Sequence, residues 1–278
     1  MAKEIFFNSS LDLVWILATI MAVIVVAYWA KWREKVVKNA GLIAFTTLYS
    51  ALVVASVVAA TKMIEFKIPL LSALLFKDGL FVPAGVIVYA ASFLVTDLIS
   101  EVYGKKEAMT AVLLGFASML VFSLYSLLMT RWTAAPFWTN QEAFESVVGL
   151  SFRITIAGIF SFVISQSWDV MVFHLLKKDN SSYGKPKHLW IRNNVSTVTS
   201  QFIDSTMFIS IAFIGIYDNI IGMIIAQWFV KCIIALLDTP FAYWGRYILN
   251  PPAQKPKGFW NLIKAIINNP PKTKESEN

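Results

Sequence analysis

The sequence predicts an all-α fold, a polytopic membrane helix bundle with seven spans. Three observations carry that expectation. Of the 278 residues, 57% are hydrophobic and only 15% charged, a balance that soluble domains seldom reach. The apolar residues gather into repeated runs, each long enough to cross a hydrocarbon core of about 30 Å. The basic residues, which give a formal net charge of +7, lie mostly between the runs, where they set topology.

The first run, residues 11–29, is followed by Lys31, Arg33, Lys35 and Lys38. Residues 40–60 form the second. A mixed stretch, 61–79, carries Lys62, Glu65, Lys67 and Lys77 and reads as a re-entrant or interfacial segment. The third run, 80–99, closes on Asp97 and Glu101, then Gly104 and two lysines; the fourth is 108–129. A polar loop, 130–146, brings Trp132 and Trp138, which suit an interfacial belt. The fifth run, 147–176, exceeds what one span needs, so it tilts or starts outside the core. The sixth, 195–216, turns at 217–219 into the seventh, 220–243. Residues 1–39 thus make a first helix with a basic loop, 40–249 the main bundle, and 250–278 a Pro- and Lys-rich tail with a short amphipathic segment at 259–267. Lys and Arg crowd the loops after spans one, three and five, and the tail. This bias predicts the N-terminus outside and the C-terminus inside.

Ionisable residues are costly at membrane depth and mark functional sites. Span three carries Asp97 and Glu101, four apart and so on one helical face. Span five carries Gln166 and Asp169 around Trp168. Span six holds a stripe of Thr197, Ser200, Gln201 and Asp204, and span seven holds Gln227, Lys231 and Asp238 on one face. Asp204 and Lys231 fall roughly 15 Å from a helix end, near mid-bilayer. A hydrophilic chamber in the inner half of the bundle, walled by spans three, five, six and seven, accommodates them all. A blander reading stands beside it. Lys231 pairs with Asp204 or Asp238 as structural glue, Thr and Ser bond back to their own helices, and Trp168 and Phe202 pack or face lipid.

Other function classes are poorly served. Cys232 is the single cysteine, and there are two histidines, so no thiolate cluster or disulfide within the chain is expected. No Gly-x-Ser-x-Gly or His-Glu-x-x-His pattern supports an intramembrane enzyme. A lysine in the seventh span resembles retinal proteins in outline alone. No zinc finger or RNA-binding signature accompanies the basic charge.

TDLISEVYGKKEA (96–108), SQSWDV (165–170) and RNNVSTVTSQFIDSTMF (192–208) together resemble the queuosine precursor transporter family, also called the vitamin uptake transporter family. The likeness extends over about residues 41–247. It implies a six-helix transporter core, similar in outline to the substrate-binding subunits of energy-coupling-factor transporters, with the first helix as an addition. It also implies uptake of a 7-deazaguanine precursor of the tRNA nucleoside queuosine across the bacterial inner membrane, with no cofactor. Such a ring sets an N–H beside an amino group, with a carbonyl nearby. Carboxylates accept the former and amides serve the latter. The expected substrate contacts are Asp97 or Glu101 with Asp204 on the N–H edge, Gln166 and Gln201 on the carbonyl, and Trp168 or Phe202 against the ring. Asp169 would pair with an aminomethyl group, and Lys231 would balance charge in the empty site. The partners expected are the deazapurine and the bilayer, with no nucleic acid. A second copy and separate coupling subunits both stay open.

Overall fold

A computed structural model describes residues 17, 20–33, 35, 39–66, 80–177 and 189–249. Residues 20–33 are helical and form α1. Then come α2 (Ala40–Ala59), β1 (Met63–Phe66), β2 (Leu80–Pro83), α3 (Gly85–Val102), α4 (Lys105–Arg131), α5 (Gln141–Val148), α6 (Ser151–Lys177), α7 (Leu189–Phe213) and α8 (Ile220–Leu249). Among the described residues, three stretches are long and apolar enough to cross a membrane: α2, α4, and Gln141–Trp168. Two shorter apolar stretches, Gly85–Ser100 in α3 and Ile220–Ala235 in α8, accompany them. The start of the first predicted span, much of 61–79, the loop from 178 to 188 and the tail from 250 lie outside the described residues.

Three features depart from the expected pattern. The third apolar run does not enter its helix at residue 80. Leu80–Pro83 pairs antiparallel with Met63–Phe66, Ile64 opposite Val82, and the helix starts only at Gly85. The fold is therefore mostly helical rather than wholly so. The polar loop before the fifth span contains a short helix of its own, α5, in which Gln141 Nε2 donates to Glu145 Oε1 across 2.7 Å. The long fifth run is broken at Gly149 and Leu150, so the expected 147–176 is the helix Ser151–Lys177, still 27 residues long. None of the α5 residues is buried. Phe137, Trp132 and Trp138 beside it are exposed, as interfacial aromatics are.

Helix ends follow local chemistry. Gly104, at φ +106°, stops α3, and its N–H and that of Tyr103 both donate to Ile99 O. A residue with a Cβ is strained at that angle, and glycine is not. Asn219 caps α8, its Oδ1 accepting from Gly222 N–H at 3.0 Å, a strongly preferred N-cap arrangement.

The chain divides into two compact units. One comprises Met1–Ala59, Ala84–Phe122 and Ile234–Asn278. In it α2 buries Phe45, Tyr49, Val53 and Val57, a strict four-residue stripe. Helix α3 buries Leu94, Val95, Leu98 and Ile99. Helix α4 approaches α2 at Gly115, where a Cβ would come within 2.7 Å of Tyr49 Cδ1. The other unit comprises Ala60–Pro83 and Ser123–Ile233. Here α6 packs along α7 through small residues: Ala157, Ser161 and Ser165 face inward from α6, and Ser200, Ser205 and Ala212 from α7. Small side chains let membrane helices approach closely, and dispersion then holds them. Ser123 of α4 hydrogen-bonds Thr155 of α6. Arg153 of α6 donates from Nε to Ile211 O at 2.7 Å and from Nη2 to Ile214 O at 2.6 Å. The guanidinium thereby satisfies carbonyls at the C-terminal end of α7 that the helix leaves open.

Candidate functional site

The polar stripe of α7 and that of α8 meet at one point. Lys231 Nζ forms an ion pair with Asp204 Oδ2, and both side chains are more than nine-tenths buried. The pairing is consistent with the local geometry. Asp204 lies about 14 Å before the end of α7 and Lys231 about 16 Å after the start of α8, at 1.5 Å per residue. The two helices are joined by a short turn through Gly215, which takes φ +81°. Antiparallel helices joined this way bring residues at matched depths together. Ser165 reaches the same carboxylate from α6. Its Oγ lies 3.5 Å from Asp204 Oδ1 and 3.2 Å from Phe162 O, and either oxygen can take its proton.

Buried carboxylate and ammonium groups both lose hydration, and only a well-formed pair offsets that loss. Here the pair leaves other groups unmet. Gln201 Oε1 and Ser205 Oγ on α7, and Gln227 Oε1 on α8, are buried without a hydrogen-bond partner among the described residues. Such groups are rare in folded proteins. Helix spacing places the two amides beside the pair: Gln201 lies one turn before Asp204 and Gln227 one turn before Lys231, while Ser205 lies one turn after Gln201.

The remaining expected residues are distributed as follows. Trp168 is partly exposed, and its Nε1 donates to Thr199 Oγ1 at 3.2 Å. Phe202 sits on the exposed side of α7 with Val195 and Val198, and meets Trp228 edge-on, ring centroids 5.6 Å apart. Trp228 Nε1 in turn donates to Val198 O at 3.1 Å. Trp168 of α6 and Trp228 of α8 are thus each hydrogen-bonded to α7. Phe202 and Asp204 project from α7 about 200° apart at 100° per residue. Gln166 is exposed. Asp97 belongs to the other unit and is exposed on α3, away from the buried stripe of Leu94 and Leu98. The side chains of Glu101, Asp169 and Asp238 lie outside the described residues. Sequence spacing offered Asp204 or Asp238 as the partner of Lys231, of which the structure shows Asp204, and set Gln227 on the same face as Lys231. It missed Ser165 and Ser205, because a serine in an apolar helix usually satisfies itself on its own backbone.

Comparison with known proteins follows the same residues. The family described as "Putative vitamin uptake transporter" matches residues 83–245. That stretch holds α3 to α7 and most of α8, and with them the ion pair. A protein of Bacillus subtilis (strain 168) named "Probable queuosine precursor transporter" is 31% identical over 167 residues, 59% of this chain and 72% of that one. A protein of Haemophilus influenzae with the same name is 27% identical over 133 residues, 46% of this chain and 51% of its own. No solved structure is matched significantly. The profile match over more than half the chain and the likeness to the Bacillus protein lead to one conclusion: the chain belongs to the vitamin uptake transporter family, whose members are transporters rather than enzymes, and it is a membrane protein.

Proposed function

We propose that this protein imports a queuosine precursor of the 7-deazaguanine class across the bacterial inner membrane. The observation that carries the reading is the buried Asp204–Lys231 pair at mid-helix depth, with the unsatisfied amide oxygens of Gln201 and Gln227 one helical turn from it, in a chain whose relatives are named for that substrate. A membrane protein retains ionisable side chains at such depth where a polar substrate must pass. Asp204, Gln201 and Lys231 are the proposed core of the substrate site, with Ser165 steadying the carboxylate. Asp97, Glu101, Gln166, Trp168, Asp169 and Phe202 are proposed as further contacts on the strength of their motifs. The N-terminus lies outside and the C-terminus in the cytoplasm, on the Lys and Arg bias of the loops. The core is residues 40–249, six helices, preceded by one added span.

Uptake of radiolabelled 7-cyano-7-deazaguanine into proteoliposomes tests the reading. Wild-type protein accumulates label above empty liposomes, and Asp204→Asn does not. Equal accumulation by protein-free liposomes refutes it. A second reading, from the outline likeness to energy-coupling-factor subunits and a family described by vitamin uptake, is a vitamin-binding subunit that works with an ATPase module. Uptake by the purified chain alone excludes that alternative, and co-purification of an ATPase with uptake that needs ATP supports it.

A further inference from the structure

Of the three unmet oxygens, Gln201 Oε1 and Gln227 Oε1 can only accept, Ser205 Oγ can accept or donate, and they come from two helices. Ser205 is fully buried and Gln227 is 2% exposed. Neither Ser205 Oγ nor Gln227 Oε1 has a hydrogen-bond partner among the described residues. Lys231 is turned onto Asp204, and the Ser165 proton is directed to Phe162 O or Asp204 Oδ1. Side chains three or four residues apart on a helix lie about 5–6 Å apart at Cβ. Gln201 is therefore a neighbour of both Asp204 and Ser205, and Gln227 is a neighbour of Lys231. The ion pair ties the two sets together.

Leaving a buried acceptor unpaired is costly, so this arrangement suits a ligand that arrives with donors. We infer that Gln227 and Ser205, together with Gln201, are specificity-determining residues that read the N–H donor edge of the substrate. The inference rests on the transport reading above and sharpens it. Asp204 is already engaged by Lys231, so the amide and hydroxyl oxygens do the discriminating and the carboxylate supplies the field around them. A guanine-type lactam edge offers a ring N–H beside an exocyclic amino group, which matches acceptors set on adjoining helices. The serine hydroxyl can also accept one of these hydrogens. An analogue without the amino group leaves one oxygen unpaired on binding. A 6-amino ring is rejected more strongly, since it turns a bare ring nitrogen toward an acceptor.

The test is equilibrium binding to the full-length protein in nanodiscs, with tritiated 7-deazaguanine and tritiated 7-deazahypoxanthine as the two probes. The wild type should bind the first at least about tenfold more tightly than the second. Gln227→Leu should weaken only 7-deazaguanine and bring the ratio close to one. Ser205→Ala, a small change that the packing tolerates, should lower the ratio in the same direction, and it carries the test if Gln227→Leu fails to fold. A wild type that binds both probes equally, or a wild-type ratio retained in the variants, overturns the inference while leaving transport of a deazapurine intact. Absence of binding of either probe to the wild type overturns the transport reading itself, and this inference with it.

Discussion

Asp204 and Lys231 illustrate how a single pair can serve stability and function together, and how the two can be separated. Removing one partner leaves an uncompensated buried charge, which costs about 3–5 kcal/mol, while replacing both with apolar groups of similar size is often close to neutral. Asp204→Leu and Lys231→Met, each alone, should therefore lower the thermal midpoint of the purified protein markedly. The double variant should recover most of the loss. Transport should be absent in all three. Recovery of uptake in the double variant would make the pair structural glue, the bland reading that spacing alone left open. At this scale the sequence was legible where charge was concerned, because a charge in an apolar helix has few explanations. It was silent on Ser165 and Ser205. A hydroxyl that bonds back to its helix and one that faces a neighbour look the same in a linear chain.

At the level of single elements, two contacts fix how neighbouring helices meet. Arg153 holds the end of α7 through two carbonyls. Hydrogen bonds from a charged donor contribute about 1.5–3 kcal/mol each at most. Arg153→Ala should lower stability by roughly that amount, seen as a lower midpoint in a thermal melt, and Arg153→Lys should recover only part of it, since one ammonium cannot reproduce the planar fork. Gly115 is the second contact. Gly115→Val forces a side chain against the buried Tyr49 ring, and overpacking of this kind costs about 1–3 kcal/mol. A melt equal to wild type would contradict the close approach of α2 and α4. The long helices were legible in outline: the expected 40–60 is Ala40–Ala59, and the expected 108–129 is Lys105–Arg131. The β1–β2 pair was not, because four-residue strands carry too few alternations to register against an apolar background. Nor was α5, whose polar residues disguise a Phe144, Val147, Val148 stripe as loop.

On the scale of the whole molecule, sequence physics speaks to orientation and family. The crowding of Lys and Arg after spans one, three and five predicts that single cysteines placed near Lys35 and Lys105, in a Cys232→Ser background, resist a membrane-impermeant thiol reagent added to intact cells. One placed near Phe137 should react. Labelling with the opposite pattern would invert the topology. The family likeness was legible from three short motifs, two of which carry the buried Ser165, Ser200, Asp204 and Ser205, and the matched stretch, 83–245, contains all three. The substrate-reading oxygens were not legible, since an amide or serine becomes informative only when its partners are known to be missing.

The central claim, that a queuosine precursor crosses the membrane through the Asp204–Lys231 site, is tested most directly in a cell that cannot make the precursor and lacks its own transporter. The measurement is queuosine in total tRNA after supplying 7-cyano-7-deazaguanine at low external concentration. Wild-type protein should restore the modified nucleoside, and Asp204→Asn, present in the membrane at equal amount, should not. Restoration without the protein, or equal restoration by the variant, would contradict the account.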